Sequence, residues 1–373
     1  MKKIYLLLAI IIIFAGGFVT GSLFSVKNSI SDPKKIGQNP PSSKELVRKE
    51  LRKLKQSESK LLIGYVQDFR DPSVVNYSQL THVIFSFAHP TKDGNVLLNG
   101  ENALNHLREM VSKAHQNNTK AILAVGGWFH INGGESYDYF KAAIASPAAR
   151  TKLVNELSNL AAAENLDGID IDFEHPRSQK DAAYLHAFIE ELSSKLSLQG
   201  KELSIAVHSK IHSVTGTELG FVVYEPAMFQ YVDHVNIMAY DGQWDGGYHA
   251  ANLSPYPFTE NIVNYWAALF ESHNLPKEKL VLGVPFYAQP EDPNSKQVSY
   301  EALIYNNPAN AERDSVNMNG TIYHYNGEET IQRKTKLALD HGFGGMMMWE
   351  VGLDAKDSHS LTAVISEEMK GNK

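Results

Sequence analysis

Apolar and charged residues alternate strictly in one short stretch of this chain, Ile169, Ile171 and Phe173 against Asp170, Asp172 and Glu174. A period of two belongs to an extended strand, whose successive side chains leave on opposite faces. One face is therefore apolar, and the other carries three carboxylates roughly 6.6 Å apart, which repel unless they share protons or hydrogen bonds. Pro176 cannot extend a ladder, so the strand is predicted to stop near Glu174 and leave that carboxylate at its carboxyl end. Apolar runs of strand length recur at 61–66, 81–88, 120–125, 203–208, 232–240, 280–287 and 344–350. Between them, apolar positions at helical spacing mark 101–117, 147–164, 179–198, 260–272, 328–339 and 361–370. Eight strands largely alternating with helices predict an α/β fold, a parallel sheet closed as a (β/α)8 TIM barrel over residues 61–373.

In such a barrel the chemistry sits at the carboxyl ends of the strands. Those ends bring together Tyr65, Phe69, Phe87, Gly127, Trp128, Asp170, Asp172, Glu174, Met238, Tyr240, Asp241, Tyr287 and Trp349. Aromatic rings around a carboxylate cluster suit a sugar, since ring faces stack on pyranose C–H faces while carboxylates and phenols take the hydroxyls. An edge strand with its acidic face in water explains the alternation but not this convergence. A magnesium or calcium site would draw acids from several strands, and no second acidic cluster is evident, so neither metal nor cofactor is expected.

The amino terminus changes the picture of where the barrel works. Lys2 and Lys3 precede an apolar run from Ile4 to Phe24, 21 residues interrupted by nothing more polar than Tyr5, Thr20 and Ser22. That length spans a bilayer and exceeds the usual core of a signal peptide. Residues 1–26 read either as an uncleaved membrane tether or as a signal cut near Gly16, Gly17, Thr20, Gly21 and Ser22. In both cases the remainder is exported, anchored facing outward or secreted, because the lysines stay in the cytoplasm. Residues 27–60 read as a basic linker, with a capping box from Ser42 to Glu45 opening a short helix striped by Leu46, Val47, Leu51 and Leu54.

Charge divides the same way. Residues 1–60 hold 12 Lys and Arg against 4 Asp and Glu, while the rest of the 373-residue chain holds 23 against 38. An acidic body gives no footing for nucleic acid. The basic tether suits anionic headgroups or cell-wall polymer, or is a solvated spacer. The absence of cysteine excludes disulfides, thiolate metal sites and a lipidated cysteine.

The stretch Asp167-Gly168-Ile169-Asp170-Ile171-Asp172-Phe173-Glu174 resembles the DGxDxDxE signature of glycoside hydrolase family 18, the chitinase and endo-β-N-acetylglucosaminidase family, at every fixed position. Met238-Ala239-Tyr240-Asp241 is similar to its M-x-Y-D motif, Gly283-Val284-Pro285-Phe286-Tyr287 to its G-x-P-x-Y motif, and Gly344 to Glu350 to its final strand. The resemblance spans about residues 61–360. It departs from the family at Ala124, where serine is usual, at Ala288, where glycine is usual, and at Phe69, which stands for a common tryptophan. The segment 288–327 is too short for the family's full α/β insertion, which argues against a deep cleft and processive action.

The resemblance implies a retaining hydrolase acting as a monomer, cutting β-1,4 links after N-acetylglucosamine in chitin or its oligomers. Family 18 is an exception to the usual two-carboxylate scheme, the substrate's own 2-acetamido oxygen being the nucleophile. Glu174 is then the general acid, Asp172 orients the acetamido N–H, Asp170 shares a proton or hydrogen bond with Asp172, and Tyr240 donates to the acetamido oxygen. Asp241 takes a sugar hydroxyl, Trp349 floors the site, and Trp128 stacks on the leaving-group side. Tyr65, Phe87, Gly127 and Tyr287 line the walls, and Met238 is wall or core. Asp167, of opposite parity, reads as structural, Trp266 as core, and His175 and His208 as without catalytic work. Trp244 is left open as a sugar platform. Non-prolyl cis bonds are expected at Ser86-Phe87 and Trp349-Glu350. The same residues serve an endo-β-N-acetylglucosaminidase acting on peptidoglycan or N-glycan cores. A non-catalytic lectin commonly loses the acid that Glu174 retains here.

Overall fold

The computed structural model describes residues 60–371. The apolar run and, Lys60 apart, the basic linker lie outside the described residues; within them, no helix is long and apolar enough to cross a membrane. Eight parallel strands form the barrel: β1 (Leu61–Gln67), β2 (His82–Pro90), β3 (Lys120–Gly126), β4 (Gly168–Asp172), β5 (Glu202–His208), β6 (His234–Met238), β7 (Leu280–Pro285) and β8 (Gly345–Trp349). Each pairs with the next, and β8 closes on β1 with Gly64 opposite Met348 on one side and Val83 of β2 on the other. The helices are α1 (Gly100–Gln116), α2 (Ser136–Ala145), α3 (Pro147–Ala163), α4 (Gln179–Leu198), α5 (Tyr256–Ser272), α6 (Tyr300–Asn306), α7 (Glu328–Asp340) and α8 (Leu361–Gly371).

Strand alternation makes two cores. Inward residues such as Ile63, Ile84, Ile122, Val281 and Met347 fill the barrel, and outward residues pack beneath the helices. Trp266 on α5 belongs to the outer core, fully buried, its indole N–H donating to the Ser209 carbonyl at 3.2 Å. Removing such a side chain costs about 3–5 kcal/mol. Local signals set the helix starts: Ser146 caps α3 through the Ala149 N–H with Pro147 in the first turn, and Ser178 caps α4 through the Asp181 N–H. Two crossovers, β1 to β2 and β5 to β6, use 3-10 turns instead of α-helices, with Pro72 and Pro226 at their starts.

Among the differences from the sequence expectation are two strand ends and one helix. The acidic strand ends at Asp172, where its ladder with β3 ends at Gly126 and the Gly127 N–H bonds the Asp172 carbonyl at 2.9 Å. The run at 280–287 divides at Phe286, because Tyr287–Pro290 opens a second, four-stranded antiparallel sheet with 298–299, 315–318 and 321–324. That sheet, with α6, is the short insertion. α2 was not expected: it buries Phe140, Ala143 and Ile144 in ten residues and stops where Ser146-Pro147 starts α3.

Behind the insertion, Lys334 on α7 is fully buried. Its ammonium donates to the Ser254 carbonyl at 2.5 Å, the Ser254 hydroxyl at 2.7 Å and the Asn326 side-chain oxygen at 2.8 Å, joining the end of the insertion to the loop before α5.

Candidate active site

β4 carries Asp170 and Asp172 into the barrel, 0% and 3% exposed, so protein groups must replace their water. Asp170 has a full set: Tyr65 donates its hydroxyl at 2.7 Å, Ser204 at 2.6 Å and the Asn236 amide at 3.2 Å. Asn236 also donates to the Tyr65 oxygen at 3.0 Å, tying β1, β4, β5 and β6 in one buried network. Burial pushes the Asp170 pKa up and these three donors pull against it. Ala124, opposite Asp170 in the register with β3, has no hydroxyl to contribute. Replacing Tyr65 by Phe is expected to lower unfolding free energy by about 1–3 kcal/mol, since Asp170 and Asn236 each lose a buried partner; urea denaturation measures it.

Asp172 is differently placed. Its Oδ1 has no donor. Burial and the neighbouring charges of Glu174 and Asp170 hold its pKa well above the carboxylate range. Glu174, half-buried just past the ladder, is pushed up to about 7 by burial and then by Asp241, against a hydrogen bond with Asp172. Two carboxyl groups bond only through a proton, which Asp172 and Glu174 share. The pair therefore titrates as a unit. The resemblance pairs Asp170 with Asp172; Asp170 accepts from three neutral donors, and its charge acts on Asp172 together with that of Glu174.

On the far side, Asp241 has a left-handed backbone, φ 63°. Asp241 is exposed to the cleft, where the surrounding protein displaces part of its water and raises its pKa against hydrogen bonds from Tyr287 at 2.5 Å and Gln243 at 3.1 Å. Tyr240 is buried among all four carboxylates, and burial followed by their charges keeps its hydroxyl protonated far into the alkaline range.

The aromatic residues form two groups. Trp349, half-buried, stacks on Phe87 at 5.8 Å between centroids and leans on Tyr65 at 5.6 Å. Gly127 makes room for this: its φ is 77°, and a Cβ there would lie 2.8 Å from the Phe87 ring. The next residue, Trp128, is 40% exposed and 6.1 Å from His175, which packs on His208 and on the exposed Phe221. Met238 is half-buried against the barrel interior. Trp244 is exposed and rests on Tyr248, and Phe69 is exposed under the Arg70 guanidinium. Asp167 accepts from the Ala121 N–H and pairs with His115, both at 2.8 Å. Cis bonds occur at Ser86-Phe87, Trp349-Glu350 and also Glu174-His175.

Beyond Trp349, Glu350 is fully buried and bound by Arg70 at 2.8 Å and by the Gln67 N–H at 3.0 Å. Ser204, Asn236 and Tyr224 belong to this neighbourhood but were not expected. Tyr224 feels the charges of Asp172 and Glu174 and accepts the His208 N–H at 3.0 Å. Ser204 and Asn236 had a signal: each is a lone polar residue amid apolar ones on a strand, at a position facing Asp170.

Known proteins resemble this chain at the level of the whole domain. The profile of the family described as glycosyl hydrolases family 18 matches residues 60–354. A chitinase-like effector from Moniliophthora roreri is 30% identical over 60% of this chain and 56% of its own length. "Probable chitinase 10" from Drosophila melanogaster is 25% identical over 76% of this chain, which spans only 14% of that relative. Among solved structures, the chitinase ChiB from the chitin utilization locus of Flavobacterium johnsoniae superposes with a TM-score of 0.69 at 25% identity, covering 84% of this chain and 96% of that one.

Proposed function

The chain belongs to family 18 of the glycosyl hydrolases, and from that premise we propose that it is an exported, chitinase-like glycosidase cleaving β-1,4 links after N-acetylglucosamine with retention of configuration. One observation carries the proposal: Glu174 stands half-buried just past the end of β4 beside the buried Asp172, with which it shares a proton, and burial pushes its pKa up to about 7. An acid poised near neutrality is what protonation of a leaving glycosidic oxygen requires.

In this reading Glu174 gives its proton to the glycosidic oxygen as the substrate's acetamido oxygen attacks C1, and the C1–O bond breaks. Asp172 receives the acetamido N–H, and Tyr240, whose hydroxyl stays protonated, donates to the attacking oxygen. The oxazolinium ion is opened by water, which loses its proton to Glu174 and restores the acid. Asp170 reacts with nothing; its three donors hold β4 in place. The Trp349–Phe87–Tyr65 group supports the sugar at the cleavage point and Trp128 the leaving sugar. The fuller reading has the chain tethered to a membrane or released after signal cleavage.

The test is a time-resolved NMR digest of N-acetylglucosamine oligomers. First appearance of the β-anomer supports retention. Intact oligomers would turn the reading to peptidoglycan and N-glycan cores, and inertness toward those to a lectin.

The pH profile follows from the same geometry. Glu174 must start protonated, so kcat/KM is expected to fall as pH rises through about 7. The Asp241 charge raises the Glu174 pKa, so Asp241→Asn is expected to move that alkaline limb to lower pH. Initial rates on chitotetraose across the pH range measure it, and an unmoved limb would refute the assignment.

A further inference from the structure

At the amino-terminal mouth of the barrel, opposite the cleft, three strands begin with ligand-type residues: His82 on β2, Glu202 on β5 and His234 on β6. We propose that these three side chains bind one Zn(II) ion that clasps the strand starts together, a role independent of the glycosidase reading.

Three observations carry it. First, a nitrogen from each imidazole and an oxygen of the carboxylate lie within 4.8 Å of one another. His82 Nε2 is 3.0 Å and His234 Nε2 3.8 Å from the same oxygen, Glu202 Oε2. Ligand atoms about 2.0–2.2 Å from a shared zinc lie roughly 3–4 Å from each other.

Second, one tautomer of His82 turns a lone pair inward. The Thr81 hydroxyl lies 3.1 Å from the Leu62 carbonyl and 2.9 Å from His82 Nδ1; when it donates to that carbonyl it accepts the Nδ1 proton, the tautomer that frees Nε2. In that tautomer His82 Nε2 faces the Glu202 carboxylate oxygen lone pair to lone pair, a contact that a proton or a metal ion between them resolves. The outward bond to Thr81 is the kind that orients metal-bound histidines.

Third, both ring nitrogens of His234 are buried without a partner, and 3.8 Å to Glu202 is too long for a hydrogen bond. A proton shared by His82 and Glu202 would satisfy that pair and leave His234 orphaned. One divalent ion gives each of the three side chains a partner, His234 through one of its two nitrogens.

Two imidazoles and one glutamate are the donor set that holds zinc in some metalloproteases. The Glu202 and His234 side chains, 22% and 16% exposed, leave an approach for the ion and a water as fourth ligand. Lys120 takes the other Glu202 oxygen, which keeps the carboxylate monodentate while its charge opposes the metal. No sequence motif announces the set, because its members come from three strands.

The experiment uses the full chain, stripped with chelator and titrated with Zn(II) by calorimetry, with Co(II) as a visible probe. The expected result is one Zn(II) per chain, a melting temperature that rises with Zn(II) but not Mg(II), and tetrahedral Co(II) absorption. His234→Gln should weaken Zn(II) binding more than ~10-fold with chito-oligosaccharide turnover retained, and Lys120→Gln should tighten it. A wild-type chain that binds no stoichiometric Zn(II) and melts unchanged overturns the proposal. So does Zn(II) binding indifferent to His234→Gln. Should that variant fail to fold, unchanged affinity in Lys120→Gln overturns it and tighter binding supports it.

Discussion

Glu174→Gln is expected to lower kcat on chito-oligosaccharides by about 10³-fold, within the range that a positioned general acid contributes. Glutamine keeps the size of the side chain and its ability to hydrogen-bond Asp172, so the transferable proton is what is lost. Glu174 lies past the β4 ladder, so no sheet pairing depends on it. Melting temperature and KM should therefore stay close to wild type. A variant that keeps more than a tenth of wild-type kcat would remove Glu174 from the role of acid.

Arg70→Ala is expected to destabilise the fold by about 3 kcal/mol, because it leaves Glu350 buried with one backbone N–H for company. The loss should depend on pH with a definite sign. Burial already raises the Glu350 pKa, against the pull of Arg70 and the Gln67 N–H, and without Arg70 it rises further. The native variant then binds more protons than its unfolded chain above the ordinary carboxyl pKa, so stability falls as pH rises through the native pKa and returns as pH is lowered. KM should rise too, since Trp349 precedes Glu350. Urea denaturation at pH 5 and pH 8 tests this, and equal losses at both would show that the Glu350 charge is not the cause.

The barrel was legible because its strands are short apolar runs separated by helices with clear caps, as at Ser146 and Ser178. The site was legible where residues follow one another, as Asp170, Asp172 and Glu174 do on one face of β4. What escaped depends on contacts between distant segments. Ser204 and Asn236 meet Asp170 only when β5 and β6 close beside β4. The donor set of Asp170 includes Tyr65, 105 residues away. Strand ends shifted where a second structure took over the chain, as at Phe286.

The buried amine of Lys334 has a use that its neighbours make possible. Held by three oxygens and shielded from solvent, it is silent toward acylating reagents while α7, Asn326 and Ser254 stay together. Burial lowers its pKa to about 7, but reagent must reach it before that matters. Its modification then counts the moments when the segment behind the insertion lifts from the barrel, an intrinsic clock for local opening read by peptide mass rather than by turnover.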